Sequence, residues 1–212
     1  MTTYLKLFGE DRDPIDYTNI NQEVLDDIAK SILNKHKIFV GDNEFRITEI
    51  EFYVLNDNHN DPYTHQDSDQ LTFGKWYFHK TKKGNYRGGT FKGVDLTYGC
   101  ENTYFGILVR AIYDESNDEF IEGPCNSVNK LLELSDCKDV NEYMETRKSP
   151  ISARCTKNFY IKRCKGLEKH DVYAGPRIGL SDTYPDYRKK PYRYVIMKDR
   201  IKKQKRSLKL VE

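Results

Sequence analysis

The alternation of apolar and polar residues predicts one long strand as the centre of the fold. Residues 46–55 read Arg-Ile-Thr-Glu-Ile-Glu-Phe-Tyr-Val-Leu, and strand side chains point alternately to two faces. One face carries core-forming residues, namely Thr48, Ile50, Phe52 and Val54. The other face carries Ile47, Glu49, Glu51, Tyr53 and Leu55. Either this second face is the solvent-exposed face of a half-buried strand, or Glu51 and Tyr53 form the floor of a polar pocket.

The remaining periodicity predicts an α+β domain: a curved antiparallel β-sheet with hairpins, flanked by short helices. A helix is expected from the N-cap Asn21 to Lys35, because its apolar residues form one stripe. No repeat and no linker is evident, so residues 1–197 are interpreted as a single domain, followed by a basic tail at 198–212. The other predicted elements are a hairpin of strands 37–40 and 46–55, a strand at 105–112, helices at 127–134 and 140–145, and strands at 177–180 and 192–197.

The predicted strand at 105–112 contains a single charged residue, Arg110, in the run Phe-Gly-Ile-Leu-Val-Arg-Ala-Ile. A buried guanidinium needs an anionic or carbonyl partner. Glu51 is the partner that we expect.

Cysteine usage and hydropathy indicate a reduced, intracellular protein of the cytoplasm or nucleus. The five cysteines, at 100, 125, 137, 155 and 164, form no C-x-x-C pair. No apolar run reaches transmembrane length, and the first residues do not resemble a signal peptide. No metal or organic cofactor is expected, because the histidines at 36, 59, 79 and 170 lack ligand spacing with the cysteines.

Positive charge is concentrated in two stretches although the net charge is only +2. Residues 188–209 contain eleven Lys or Arg and one Asp, and residues 79–92 contain no acid. Between residues 71 and 91, aromatic residues alternate with basic ones, an arrangement that suits base stacking beside phosphate binding. A nucleic-acid partner explains these features. A solvated tail and a half-buried hairpin are the open alternatives.

The order of several short motifs resembles the alkyladenine (3-methyladenine) DNA glycosylase family over residues 44–197. The matching motifs are Ile50-Glu51-Phe52-Tyr53, Asp61-Pro62-Tyr63-Thr64-His65, Gly89-Thr90-Phe91 with Tyr98-Gly99, Leu108-Val109-Arg110-Ala111, Gly123-Pro124, Pro176-Arg177-Ile178-Gly179 and Lys190-Pro191-Tyr192-Arg193-Tyr194. The resemblance implies a core like the barrel of the formyltransferase C-terminal domain.

The resemblance also implies roles for individual residues. Glu51 would activate the attacking water, and Arg110 would hold that water against the carboxylate. Tyr53 and His65 would be walls of the pocket for a flipped base, and Tyr98 would be the wedge left in the duplex. Flipping is costly, so such an enzyme needs a wedge and a basic surface.

The chain departs from the family inside the expected base pocket. Asp95 stands near the place of an aromatic wall, Phe52 replaces a small residue, and residues 125–129 are additional. A carboxylate in the pocket favours a base with hydrogen-bond donors over a simple methylpurine.

The sequence therefore predicts a monofunctional DNA glycosylase, without a lyase step, that acts as a monomer on duplex DNA containing a modified base, away from any membrane. A non-catalytic nucleic-acid-binding protein of the same fold and an N-glycosidase for RNA or nucleosides remain alternatives. The expected contacts to the DNA backbone are Lys80, Lys82, Lys83, Arg87, Lys189, Lys190 and Arg193.

Overall fold

A computed structural model describes residues 16–147 and 158–212 of the chain. The predicted α+β class is confirmed, since the described elements form one antiparallel sheet with short helices against it. The helices are α1 (Gln22–Lys35), α2 (Pro124–Leu134), α3 (Val140–Arg147) and α4 (Pro185–Lys189). The strands are β1 (His36–Val40), β2 (Asn43–Leu55), β3 (Phe73–Phe78), β4 (Val94–Tyr98), β5 (Tyr104–Asp114), β6 (Glu119–Glu122), β7 (Phe159–Arg163), β8 (Tyr173–Gly175), β9 (Arg193–Val195) and β10 (Lys209–Leu210).

The sheet is open in the described part of the chain, with the order β10-β8-β9-β2-β5-β4-β3. Strands β1 and β7 extend it beside the first half of β2, and β6 pairs with the second half of β5. This order places β10 and β3 at opposite ends, whereas β2 and β5 lie in the middle. Both central strands are covered on both faces, so the two sides of β2 are almost wholly buried.

The pairing of β2 with β5 is irregular where the charged residues lie. Ile47 pairs with Ile112, Glu49 with Ala111 and Ile50 with Val109, so the register shifts on each side of Glu49. Bulges re-aim side chains and are frequent beside functional sites. Here the irregularity falls at the predicted ion pair between β2 and β5.

Helix α1 follows the prediction from its cap to its end. The Asn21 side chain accepts a hydrogen bond from the Val24 backbone N–H, which satisfies one of the free donors of the first turn. The apolar stripe is buried and packs on β2. Helices α2 and α3 are also observed, although α2 begins at Pro124 instead of near Ser127.

Two predictions about the C-terminal third were wrong. Residues 177–180 form a loop, because Gly179 has a φ of +81° and breaks extended pairing; the strand is β8, just before them. Residues 198–212 are not a separate tail, since Ile201 and Leu208 are buried against Val195. Strand β10 also pairs with β8. The C-terminal segment is thus part of the domain.

Replacing Leu208 by Ala is expected to lower the free energy of unfolding by about 2–4 kcal/mol, because the buried side chain leaves a cavity. Leu208 is 4% exposed and Leu210, two residues later, is 56% exposed. Leu210→Ala is the matched control, with an expected change within about 0.5 kcal/mol. Urea denaturation of both variants measures the difference, and equal midpoints would mean that the segment does not contribute to the core.

Candidate active site

Glu51 and Arg110 meet in the interior of the sheet, as the sequence predicted. The Arg110 Nη1 atom lies 3.3 Å from Glu51 Oε2, and its Nε atom donates a 3.0 Å hydrogen bond to Glu49 Oε1. All three side chains are buried. Burial disfavours the charge of Arg110, but the two carboxylates outweigh it and raise the pKa of the guanidinium. The pair therefore lies in the interior without direct contact with bulk water.

The Glu51 carboxylate has two further donors and is 0% exposed. Its Oε2 atom accepts a 2.8 Å hydrogen bond from the Tyr53 hydroxyl, and its Oε1 atom accepts a 2.7 Å bond from the Ile178 backbone N–H. Burial and the adjacent Glu51 raise the pKa of Tyr53 well above its ordinary value. Tyr53 is thus a neutral donor that connects Glu51 to the space on its other side.

Glu49 is a functional neighbour that the sequence analysis did not single out. Its Oε1 atom also accepts a 2.6 Å hydrogen bond from Arg193 Nε, and Arg193 donates a second bond to the Lys203 carbonyl. The signal was available, because Glu49 lies two residues before Glu51 and therefore on the same face. Arg193 is fully buried, so its predicted contact with the DNA backbone was wrong.

A second buried ion pair supports the loop that contacts Glu51. Arg177 Nη2 lies 3.0 Å from Asp61 Oδ1, its Nη1 atom donates to the Phe52 carbonyl, and its guanidinium lies 4.5 Å from the Tyr53 ring centroid. The next residue after Arg177 is Ile178, the donor to Glu51. Asp61 and Arg177 thus position that donor, a role that the sequence analysis did not assign to either residue.

A cavity of about 90 Å³ lies beside Tyr53. Three predicted pocket residues, Tyr53, His65 and Asp95, line it together. The sequence analysis missed its other walls, which are Tyr63, Gln70, His79 and Leu180. Typical ligand sites are several hundred Å³, so this cavity is smaller than a usual binding site. The half-buried Tyr63 and Leu180 are part of its wall.

The imidazoles of His65 and His79 pack edge to face at the cavity, with ring centroids 4.4 Å apart. Although His65 is exposed as a whole residue, its ring packs on the Tyr77 and His79 rings. This desolvation, with a smaller effect of His79, lowers the pKa of His65. His79 Nε2 lies 2.8 Å from Asp95 Oδ1. His79 was interpreted from sequence as an ordinary polar residue, yet it is part of the cavity wall.

The predicted wedge is not at the surface. Tyr98 is 1% exposed and packs between Phe73 and Phe105 in the core. Tyr98 is the last residue of β4, a strand in which every side chain is buried. Phe91 is the most exposed large apolar side chain in the described ranges, at 72%, and it ends the 3₁₀ turn Gly89–Phe91.

The predicted DNA-backbone residues differ in availability. Lys80 is bound to Asp67 and Asp69 at 3.1 and 3.0 Å, and Arg87 donates to the Lys80 carbonyl. Lys190 lies over the Tyr187 ring at 4.0 Å. The exposed members of the set are Lys82, Lys83 and Lys189.

No protein-family model matches the chain. The chain is 42% identical over 207 residues to "Uncharacterized protein L759" of Acanthamoeba polyphaga mimivirus, and the match covers 92% of this chain and 95% of that protein. This chain belongs to the L759 family. The name of that relative assigns no activity to it.

Other chemical features are few in the described part of this L759 family member. Across residues 16–147 and 158–212, no three His, Cys, Asp or Glu side chains are grouped to hold a metal ion. Cys100, Cys125, Cys137 and Cys164 are free thiols, and Cys155 lies outside the described residues. None of the described helices is long and apolar enough to cross a membrane.

Asp61→Asn is expected to lower the free energy of unfolding by about 3–5 kcal/mol, because it leaves Arg177 as a buried, unpaired charge. The matched control is Asp182→Asn, which removes the exposed partner of Arg188 and is expected to change stability by less than about 1 kcal/mol. Thermal and urea denaturation compare the two variants. Similar losses of stability in both variants would show that the buried Asp61–Arg177 pair stabilises the protein no more than an exposed pair does.

Proposed function

We propose that this protein hydrolyses the N-glycosidic bond of a modified base flipped out of duplex DNA, without a lyase step. One observation carries the proposal. Four residues from separate parts of the chain, each assigned a role by the resemblance to the alkyladenine DNA glycosylase family, lie in one contiguous group: Glu51, Arg110, Tyr53 and His65. Asp95, which stands near the family's aromatic wall, lines the same cavity.

The arrangement suits hydrolysis through a cation-like sugar. A base held in the cavity beside Tyr53 places its sugar towards Glu51, whose carboxylate stabilises the developing positive charge and accepts a proton from the attacking water. Arg110 keeps the carboxylate in position. After bond cleavage the sugar carries the hydroxyl group from water. The bonding electrons leave with the base, which then takes up a proton.

Access to Glu51 is the step that the proposal requires. The Ile178 backbone N–H donates to Oε1, and two residues later Leu180 lines the cavity. Gly179 has a positive φ and an exposed position. A shift of residues 178–180 would free Oε1 for water and widen the cavity at Leu180 in the same movement.

Glu51→Gln is expected to reduce base release by about 10²-fold or more, since it removes the proton acceptor and the charge. DNA affinity should stay within about twofold, because Glu51 is not at the surface. Oligonucleotides with a panel of modified bases, followed by alkaline cleavage at abasic sites, give the rate. Glu49→Gln is the control, as Glu49 is equally buried and shares Arg110 but does not contact Tyr53. Equal rates for Glu51→Gln and the unmodified protein would contradict the proposed role.

Phe91 replaces Tyr98 as the proposed wedge. It is exposed, and the basic stretch with Lys82 and Lys83 precedes it. Two residues later, Gly93 lies under the His79 ring at the cavity, so a Cβ atom there would be 2.6 Å from His79 Nδ1. An aromatic side chain between this stretch and the cavity can fill the gap left by a flipped nucleotide.

Phe91→Ala is expected to slow base release from duplex DNA by about tenfold, because less of the flipped state is populated. Release from single-stranded DNA should change little, since no stack has to be opened. A 2-aminopurine fluorophore at the target position reports flipping directly. Leu210→Ala controls for loss of an exposed apolar residue at the opposite end of the sheet. A larger loss in Tyr184→Ala would assign the wedge to that residue, which is 47% exposed.

The second candidate function is binding of nucleic acid without catalysis. It is favoured by the complete burial of Glu51 and by the donors that already occupy both of its oxygens. The experiments above separate the two candidates. Binding of modified-base duplexes without release from any oligonucleotide supports the second, and release from RNA or nucleosides alone supports an N-glycosidase for those substrates.

A further inference from the structure

Gln70 is a buried acceptor in the wall of the cavity. It lies in the 3₁₀ turn Ser68–Leu71, is 1% exposed and lines the cavity with Asp95. Its Nε2 atom donates a 3.2 Å hydrogen bond to Asp95 Oδ2. Its Oε1 atom has no hydrogen-bond partner within residues 16–147 and 158–212. Unpartnered buried acceptors are rare and costly, so each one calls for an explanation.

The orientation of the Gln70 amide is determined by its neighbour. The NH₂ group of Gln70 faces Asp95 and donates to the carboxylate, so its Oε1 atom lies on the other side of the amide. Asp95 is held in turn by His79, whose Nε2 atom lies 2.8 Å from the other carboxylate oxygen. Gln70, Asp95 and His79 are joined by these two contacts into a relay of three side chains. The Oε1 atom of Gln70 is the acceptor of this relay that has no donor.

Three glycines make room for this relay. A Cβ atom on Gly106 would lie 2.4 Å from Asp95 Oδ2 and 2.5 Å from Gln70 Nε2. A Cβ atom on Gly99 would lie 1.9 Å from the Gln70 carbonyl oxygen, and one on Gly93 would meet the His79 ring. Glycine weakens a strand interior and marks close approach of other groups. Gly106 is the one of the three that lies inside a strand, β5, so that strand accommodates Gln70 and Asp95 at a cost to its own stability.

We propose that Gln70 is a specificity-determining residue, whose Oε1 atom accepts a hydrogen bond from an N–H group of the bound base. This inference rests on the proposed function and names its substrate class: a nucleobase with an exocyclic amine on the edge that enters the cavity. A base with a methyl group in that place leaves the acceptor unpaired and is rejected. Because Asp95 holds the amide in one orientation, Gln70 cannot rotate to donate instead.

The structure changes the reason for expecting a donor-bearing base. The sequence analysis based that expectation on Asp95, but both Asp95 oxygens are already hydrogen-bonded, to Gln70 and to His79. The free acceptor is one position further along the relay, on Gln70.

Binding of free bases to the full chain tests the proposal without any glycosidic bond to cleave. Adenine is compared with 6-methylpurine, and 2-aminopurine with 2-methylpurine, by isothermal titration calorimetry. Within each pair the shape is matched and only the amine differs. We expect the amine to be preferred by about tenfold in at least one pair, as for one hydrogen bond to a buried acceptor.

Gln70→Met keeps the side-chain length and removes the acceptor, so the preference for the amine should disappear in this variant while the methylpurine still binds. Gln22→Met, in helix α1, is the control and should leave the preference unchanged. Denaturation curves establish that each variant is folded. Equal affinity within both pairs for the unmodified protein, a preference retained by Gln70→Met, or no binding of any base at millimolar concentration would each overturn the proposal.

The outcome is separable from that of the proposed function. A preference for amines without base release from any oligonucleotide supports the Gln70 pocket and contradicts hydrolysis. Base release without a preference for amines supports hydrolysis and contradicts the role of Gln70.

Discussion

The balance of two buried carboxylates against two buried guanidinium groups is the constraint on which the centre of this protein depends. Glu49 and Glu51 project from β2, Arg110 from β5 and Arg193 from β9. A buried charge that loses its partner costs several kcal/mol, so each of the four groups stabilises the others. Their contacts join the three central strands through side chains as well as through the backbone. The register irregularity around Glu49 is where the backbone adjusts to these contacts.

The same region combines an anchored arginine with a short loop that leads to the cavity. Arg177 is anchored by Asp61 and by the Phe52 carbonyl, and it covers the Tyr53 ring. Directly after that anchor, the chain passes through Ile178 and Gly179 to Leu180 at the cavity. Arg177 is held in place, so the residue that contacts Glu51 and the residue that lines the cavity both follow a fixed point in the chain. Chain connectivity therefore joins the Glu51 contact to the cavity wall.

The spacing of apolar residues was sufficient to predict the elements whose buried positions repeat with the period of a helix or a strand. Helix α1, the hairpin of β1 and β2, and strand β5 were all predicted from apolar spacing. The pairing of Arg110 with Glu51 was predicted because a lone cation in an apolar strand requires a partner. These inferences need only the burial of one element and the rule that buried charge is compensated.

The residues that were placed wrongly from sequence are those whose exposure depends on tertiary packing. Tyr98 and Arg193 have polar atoms and stand near basic or glycine-rich segments, but β4 and β9 are covered on both faces. Gln70 and His79 become neighbours of Asp95 only because β3 and β4 pair and the glycines remove the intervening Cβ atoms. The spacing of these residues in the sequence does not show that their side chains lie close together. They belong to different elements, which only tertiary packing brings into contact.

The ion pair between Arg193 and Glu49 has a consequence for biosynthesis. A ribosome makes the chain from its N-terminus, and domains fold as their segments emerge. Glu49, Glu51 and Arg110 are all synthesised long before Arg193, so the nascent chain carries one acidic charge in excess at the future centre of its sheet. The second guanidinium partner of Glu49 becomes available only when β9 has been synthesised. Charge balance at the centre of the sheet therefore requires a strand that is made well after β2 and β5.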